Sequence, residues 1–439
     1  MKKLIALSLS LLLLIGAAST AFADDAITLN FLYWADDVQK QLLTDACTAY
    51  EEANPGIKIN AQALPADGTF DSYIQTRMES GDLPDVSYMG EGDIQKYDQM
   101  GILADISDMI ESGKMPEKLS AITIHNADGK VIGVGLSNQL VVLYYSKDKF
   151  DAAGLAYPPS NVEDAWDWDT FVNVAKQLTV DINGKNATEE GFDPDKIMDY
   201  GLGFNCLREF HQFWALYANG GGVVNADGTE FLWDTEASAK GLQNIVDLMH
   251  TDHVAPQALY NWASDIGSVR DAISGGFAMF TNGSWDLANI SPEDPIGVAV
   301  LPKMEKAVTM NCGAPMVVYN TSKHLEEAKD FYAYMVDPAK NLPLVQSGAW
   351  LPNQADWYTD EALLAQWADG LPYGAKETLL SYSNTEGSIA QWPAYYIMTY
   401  ADMSTIYERE IDNALLGNVT VAEAFAKCMP EIKAVFAGQ

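Results

Sequence analysis

The stretch Ile27–Leu64 limits what this chain can fold into more than any other. Ile27–Trp34 (ITLNFLYW) is a short apolar run rich in strand formers. Asp36 and Asp37 follow, an N-cap and a first-turn acid that suit free N–H groups and the helix dipole. Val38, Leu42, Ala46, Ala49, Tyr50 and Ala53 recur at helical spacing and predict one apolar stripe. Asn54-Pro55-Gly56 stops that helix, and Ile57-Lys58-Ile59 opens a second strand. A strand–helix–strand unit builds a parallel sheet, and ligands of such sheets sit beyond the carboxyl ends of the strands. Here that end is Tyr33-Trp34-Ala35-Asp36.

Ahead of this unit, Met1–Ala23 carries Lys2 and Lys3, the apolar run Leu4–Ile15, then Ala21-Phe22-Ala23. A basic start, a short apolar middle and an A-x-A ending predict a secretory leader, 1–23, and a mature chain from Asp24. The run is short for a bilayer span, which needs ~20 apolar residues. Removing it leaves about 415 residues, enough for roughly two or three domains. The formal charge of −35 becomes −37 without the two leader lysines. Nucleic acid and anionic membrane surfaces require basic patches and are therefore not expected partners.

Cys47, Cys206, Cys312 and Cys428 are isolated, so a zinc site is not expected; Cys47 and Cys428 read as buried free thiols. The five histidines form no metal-spaced motif, and neither metal nor cofactor is expected. Further strands are predicted over Asp85–Met89, residues 131–136, Leu140–Tyr145 and Phe277–Phe280. Helices are predicted over Thr69–Gly81, Ile94–Gly101, Thr170–Leu178, Phe210–Tyr217 and from Asp234 to about His250.

Several passages share a family look. ALPADGTFDSYIQTRMESGDLPDVSYM, EEANPGIKI and the Asp98–Asp105 turn resemble bacterial extracellular solute-binding proteins of the sugar-binding, maltose-binding-protein-like type. So do VVLYYSKDKFDAAGLAYPPS, GGFAMFTNGSWDLANI, VAVLPK and Asn320-Thr321-Ser322-Lys323, in the same order along most of the chain. Tyr145-Ser146-Lys147 stands where the family usually has Tyr-Asn-Lys, Trp166-Asp167-Trp168-Asp169 where it has Thr-Trp-Asp-Glu, and no cysteine for a lipid anchor follows the leader.

The resemblance implies an α/β clamp of two lobes, each a mainly parallel sheet flanked by helices, joined by a three-segment hinge. It implies lobes of 24–137 with 312–345, and of 138–311 with 346–439, crossing near Gly133–Gln139, Met310–Pro315 and Val345–Leu351. It further implies a monomeric, exported binding component at the periplasm or outer cell surface. That component would close on a neutral carbohydrate, an oligosaccharide by preference, and dock on the permease of an ABC importer, with no catalysis of its own.

A sugar site needs flat aromatics for C–H faces and polar side chains for hydroxyls. From the first lobe the candidates are Trp34, Asp36 and Asp37, then Met89, Glu91 and Asp93; at the first crossing they are Asn138 and Gln139. From the second lobe they are Arg208, His211, Trp214, Trp285 and Asp286, with Gly313 and Trp350 at the later crossings and Trp392 and Tyr395 in the late aromatic wall. Plainer roles stay open at several: Asp36 as a helix cap, Glu91 and Asp93 as loop acids, Trp214 and Trp285 as core. Two other functions stay open: a cationic ligand such as a polyamine in an acid-and-aromatic cage, and an exported glycoside hydrolase using two carboxylates. Against the latter, no eightfold strand–helix repeat, G-x-S-x-G, P-loop or H-E-x-x-H is present.

Overall fold

The computed structural model describes residues 26–64, 69–204, 209–225, 228–257 and 268–438; the expected leader lies outside them. Among the described residues, no helix is long and apolar enough to cross a membrane.

The opening unit forms as its sequence predicts. β1 (Ile27–Trp34) and β2 (Ile57–Leu64) pair in parallel along their whole length, from Ile27 opposite Ile57 to Trp34 opposite Leu64. The Asp37–Ala53 helix connects them, and Asp36 caps it by accepting the Gln39 N–H at 2.8 Å. The buried line of this helix is Leu43, Cys47 and Tyr50, whereas Val38 is 42% exposed and Ala49 and Ala53 face water. The expected stripe is therefore turned by about one residue. Helical side chains lean toward the N-terminus, so the patch facing the sheet is covered by residues one step later. Tyr50 fixes that rotation by packing edge-on against Phe331, with ring centroids 5.1 Å apart.

The remaining strands are β3 (Val86–Tyr88), β4 (Thr123–His125), β5 (Val131–Gly135), β6 (Gln139–Ser146), β7 (Val180–Asp181), β8 (Ile197–Phe204), β9 (Phe277–Gly283), β10 (Ile296–Ala299), β11 (Thr309–Cys312), β12 (Pro315–Val318) and β13 (Ile389–Ala390). They make two sheets, one in each lobe. The first has the order β2-β1-β3-β12-β5-β4. The second runs β13-β11-β6-β9-β8-β7, with β10 also on β6.

Neither sheet is mainly parallel, which corrects the expectation drawn from the opening unit. β1 is parallel to β2 and β3, β8 to β9, and β11 to β13. β12 is antiparallel to β3 and β5, β4 to β5, β6 to β9, β10 and β11, and β7 to β8. The cause lies in the chain's path. It leaves the first sheet by β5 into β6 and returns by β11 into β12, and strands of opposite travel lie side by side in both sheets.

The strand-to-strand crossings, two of the three passages between lobes, are thus Leu136–Asn138 and Gly313–Ala314. They lie close together: a Cβ on Gly313 would sit 3.1 Å from Gly135 Cα and 3.0 Å from the Ser137 carbonyl oxygen. Leu351 and Asn353 run beside the first crossing. Asn138 N–H donates to Leu351 O at 3.2 Å, Leu351 N–H to Ser137 Oγ at 2.6 Å, and Asn353 Nδ2 to the Gly135 and Leu136 carbonyls at 3.2 Å each. Under this bundle lies Lys118, buried, with Nζ on Val336 O at 2.6 Å and Asn353 Oδ1 at 3.2 Å. Burial pushes its ammonium down to about 8.

Each lobe has its own aromatic core. In the first, Phe31 stacks on Tyr33 and meets Tyr88 and Phe331 edge-on. In the second, Trp233 and Phe213 pack with Tyr407 of the Tyr400–Leu415 helix. Burial of each such side chain contributes roughly 1.5–3 kcal/mol. Cys47, Cys312 and Cys428 are free and buried, as expected for the first and last; Cys206 lies outside the described residues.

Candidate functional site

Among the described residues the two lobes meet at a mouth and again beside the hinge, and some of the expected site residues lie at one or the other. At the first, the mouth, Asn289 Nδ2 reaches across to Asp36 Oδ2 at 3.4 Å. Asn289 is the last residue of the short turn Ser284–Asn289 that follows β9. Its amide also donates to Asp286 Oδ1 at 2.7 Å, and Asn282 Nδ2 donates to Asp286 Oδ2 at 3.2 Å. Asp286 is buried, and that burial raises its carboxyl above the usual carboxylate range; its hydrogen bonds oppose the shift and Asp36 across the mouth adds to it. Asp286 is therefore the anchor of the turn. Asp36 caps its helix, as its plainer role had it, and also faces the other lobe. Asp37 stands exposed beside it.

Two half-buried indoles stand a few residues along the chain from this contact, one on each lobe. Trp34 ends β1, held edge-on by Phe70 and Tyr88 at 5.0 Å each. Trp285 lies folded back over the backbone of β9. A Cβ on Gly283 would come within 1.9 Å of its ring, so only glycine permits that placement. The Asn-Gly-Ser-Trp pattern thus has a physical reason: the glycine makes room for the indole, and the turn leaves part of it at the surface.

At the second meeting place, beside the hinge, the first lobe presents the loop after β3 and the Ile94–Gln99 helix. The second lobe presents the 393–395 turn. Tyr395 O–H donates to Glu91 Oε1 at 3.4 Å. The same oxygen accepts the backbone N–H groups of Gly313 at 3.3 Å and Ala314 at 3.2 Å. Burial raises the Glu91 carboxyl above the usual range, against the opposing pull of those three donors. Gln95 Nε2 donates to Tyr395 O at 3.0 Å and His125 O at 2.9 Å, and Gln99 Nε2 to Met398 O at 3.1 Å. Asp93 turns toward Lys96, 3.8 Å away; burial and then Asp71 lift its carboxyl to about 6.

The other expected residues are placed as follows. Trp214, Trp350, Trp392, Tyr395 and Met89 are 1–5% exposed and belong to the core, so the aromatic wall expected from Trp392 and Tyr395 presents no open face in this arrangement. Trp392 stacks on Phe213 at 5.6 Å instead. The reason is packing: the Glu209–Ala218 helix turns Phe213 onto Tyr407 of the Tyr400–Leu415 helix and Trp214 onto Trp168. Asn138 and Gln139 are buried and serve the hinge: Gln139 Nε2 donates to Ala349 O at 2.9 Å, and Asn138 Nδ2 contacts the Tyr358 hydroxyl at 3.4 Å. The close backbone approach at Gly313 is to the first crossing. Arg208 and the side chain of His211 lie outside the described residues.

Sequence reasoning missed Asn289, Gln95 and Gln99. Asn289 had a faint signal, standing three residues after Asp286 with the spacing that lets one side chain reach the other. The two glutamines had none, because their partners are backbone carbonyls as many as 300 residues away.

Comparison with known proteins agrees with this architecture. A family model described as bacterial extracellular solute-binding protein matches residues 45–370. A multiple sugar-binding protein of Streptococcus mutans is 26% identical over 332 residues, 71% of this chain and 71% of its own. A putative binding protein of Brucella abortus is 23% identical over 343 residues, 74% of this chain and 76% of its own. Among solved structures, an ABC substrate-binding protein of Listeria monocytogenes in complex with cycloalternan superposes with a TM-score of 0.75 at 21% identity, covering 94% of this chain and 100% of that one. It shares the two-lobe α/β fold. With the family model spanning well over half its length, the chain belongs to the bacterial extracellular solute-binding proteins.

Proposed function

We propose that the chain is the exported binding component of an ABC importer. It takes a neutral carbohydrate, an oligosaccharide by preference, between its lobes and passes it unchanged to a permease. The observation that carries this reading is the pair of half-buried indoles, Trp34 and Trp285, one on each lobe a few residues along the chain from the Asp36–Asn289 contact. Indole faces suit the C–H faces of sugar rings, and the carboxylate and amide of that contact suit hydroxyls. The names of the Streptococcus mutans relative and of the cycloalternan-bound Listeria protein point to the same ligand class. The lobes on this reading are 24–137 with 312–345, and 138–311 with 346–439, and the protein works as a monomer at the periplasm or outer cell surface.

A thermal-shift screen of a glycan panel, with spermidine as the cationic competitor, tests it. A ligand bound only by the folded state at 100 times its Kd adds about 2.7 kcal/mol of stability, so a binding glycan raises Tm by several degrees. Trp285→Ala should weaken that glycan by ~1–3 kcal/mol, as for a buried aromatic anchor. A shift with spermidine alone overturns the carbohydrate reading. Release of reducing ends from the bound glycan overturns passage without turnover.

A further inference from the structure

Glu91 stands where three parts of the chain converge, and its role differs from that of a loop acid. It belongs to the exit loop of β3 in the first lobe. Its Oε1 accepts two consecutive backbone amides of the second crossing, Gly313 and Ala314, and the hydroxyl of Tyr395 from the second lobe. Two successive N–H groups aimed at one point form an anion-binding concavity. Here the anion is the protein's own. Ala314 is one of two non-glycine residues with positive φ among the described residues, at +46°, a left-handed conformation that alanine adopts only when its surroundings hold it there. Its amide points at Glu91. On the helix that follows Glu91, Gln95 fastens the same turn of the second lobe and Gln99 holds Met398 just past it.

The geometry points to Glu91 as a hinge latch: its side chain holds the second crossing and the 393–395 turn against the first lobe, and so sets how readily the lobes separate. Glu91 acts on the cleft by position, through the crossing and the turn it holds. No cation offsets it: among the described residues it makes no ion pair, and Lys96 is directed to Asp71 and Asp93. The titratable groups facing it are Cys312 on β11 and Tyr395, a thiol and a phenol that burial pushes well up and keeps neutral.

The sign of the pH response follows. Enclosure raises the Glu91 carboxyl in the latched arrangement, so that arrangement holds its proton more tightly than an open one in which the group meets water. Acid therefore favours the latched form, and rising pH favours separation. Replacing the carboxylate by its neutral isostere keeps an acceptor oxygen for the amides and removes the charge. Alanine removes the acceptor and strands three donors.

Small-angle scattering of the ligand-free protein at pH 5 and pH 8 reads this directly. The wild type should be more compact at pH 5 than at pH 8. Glu91→Gln should be compact at both, Glu91→Ala expanded at both, and Tyr395→Phe expanded to a smaller extent. Exchange of the Gly313 and Ala314 amide hydrogens should accelerate in Glu91→Ala and be restored in Glu91→Gln. A wild-type radius of gyration that does not move with pH, together with a Glu91→Gln variant indistinguishable from it, overturns the latch; so does a Tyr395→Phe variant with wild-type compactness. No ligand enters the measurement, so its failure leaves the carbohydrate reading untouched, and failure of the glycan screen leaves the latch untouched.

Discussion

The mouth and the hinge side join the same two lobes by opposite means. At the mouth, among the described residues, Asn289 reaches Asp36 by a hydrogen bond 3.4 Å long and open to water. On the hinge side, Gln95 is buried and spans two carbonyls, Tyr395 is buried and reaches Glu91, and Trp392 is stacked beneath them. A polar contact in water is exchanged for water at little net change, whereas a buried donor or acceptor left without its partner costs about 1–3 kcal/mol. The mouth is thus built to part readily, and the hinge side to hold until its buried bonds are released. A clamp needs this asymmetry, because a ligand must enter somewhere while the lobes keep their registration elsewhere.

The largest expected break in that contrast comes from Trp392. Its indole is 5% exposed and lies between Phe213 at 5.6 Å and Tyr400 at 5.9 Å. Trp392→Ala leaves a cavity inside the second lobe, just before the 393–395 turn that meets the first lobe, and should lower stability by ~3–5 kcal/mol in urea unfolding. A loss under about 1 kcal/mol would show that this side is as loose as the mouth.

Gln95→Leu is the next largest. The substitution keeps the volume and removes both Nε2 hydrogen bonds, stranding the His125 and Tyr395 carbonyls. It should cost about 1–3 kcal/mol by the same assay. Gln95 Oε1 has no hydrogen-bond partner among the described residues, so leucine also relieves one unmet acceptor. That places the expected value in the lower part of the range. A neutral substitution would move the burden of joining the lobes from this helix to Glu91 alone.

What the sequence made legible follows the same division. Local pattern gave β1, the Asp37–Ala53 helix, β2 and the Asp36 cap, because each is decided by residues within a few positions. The Asn-Gly-Ser-Trp passage was recognisable, but that its glycine lets Trp285 lie over β9 shows only in the folded chain. The antiparallel pairings were not legible, since they depend on where the chain leaves and re-enters each lobe. Nor was the burial of Trp214 and Trp392. Aromatic residues at helical spacing show that a face is apolar, and only the packed partner shows whether that face ends against protein or ligand. Glu91 is the clearest case. Its neighbours in sequence make it a loop acid, and its partners lie 222 to 304 residues away.

The smallest effect is expected at Asp36. Asparagine is as good an N-cap as aspartate, so Asp36→Asn keeps the bond to Gln39 N–H while removing a charge from the mouth. The helix loses part of its favourable dipole interaction, and Asp286 is relieved of an acid that adds to its raised carboxyl. These changes oppose each other, and the net change in stability should stay within ~0.5 kcal/mol. Titration of Asp286 by NMR should move modestly toward the ordinary carboxylate range, because the chief cause of its shift, burial, is unchanged. A loss above about 2 kcal/mol would make Asp36 a structural bolt like Gln95, and the mouth could no longer be the side that opens.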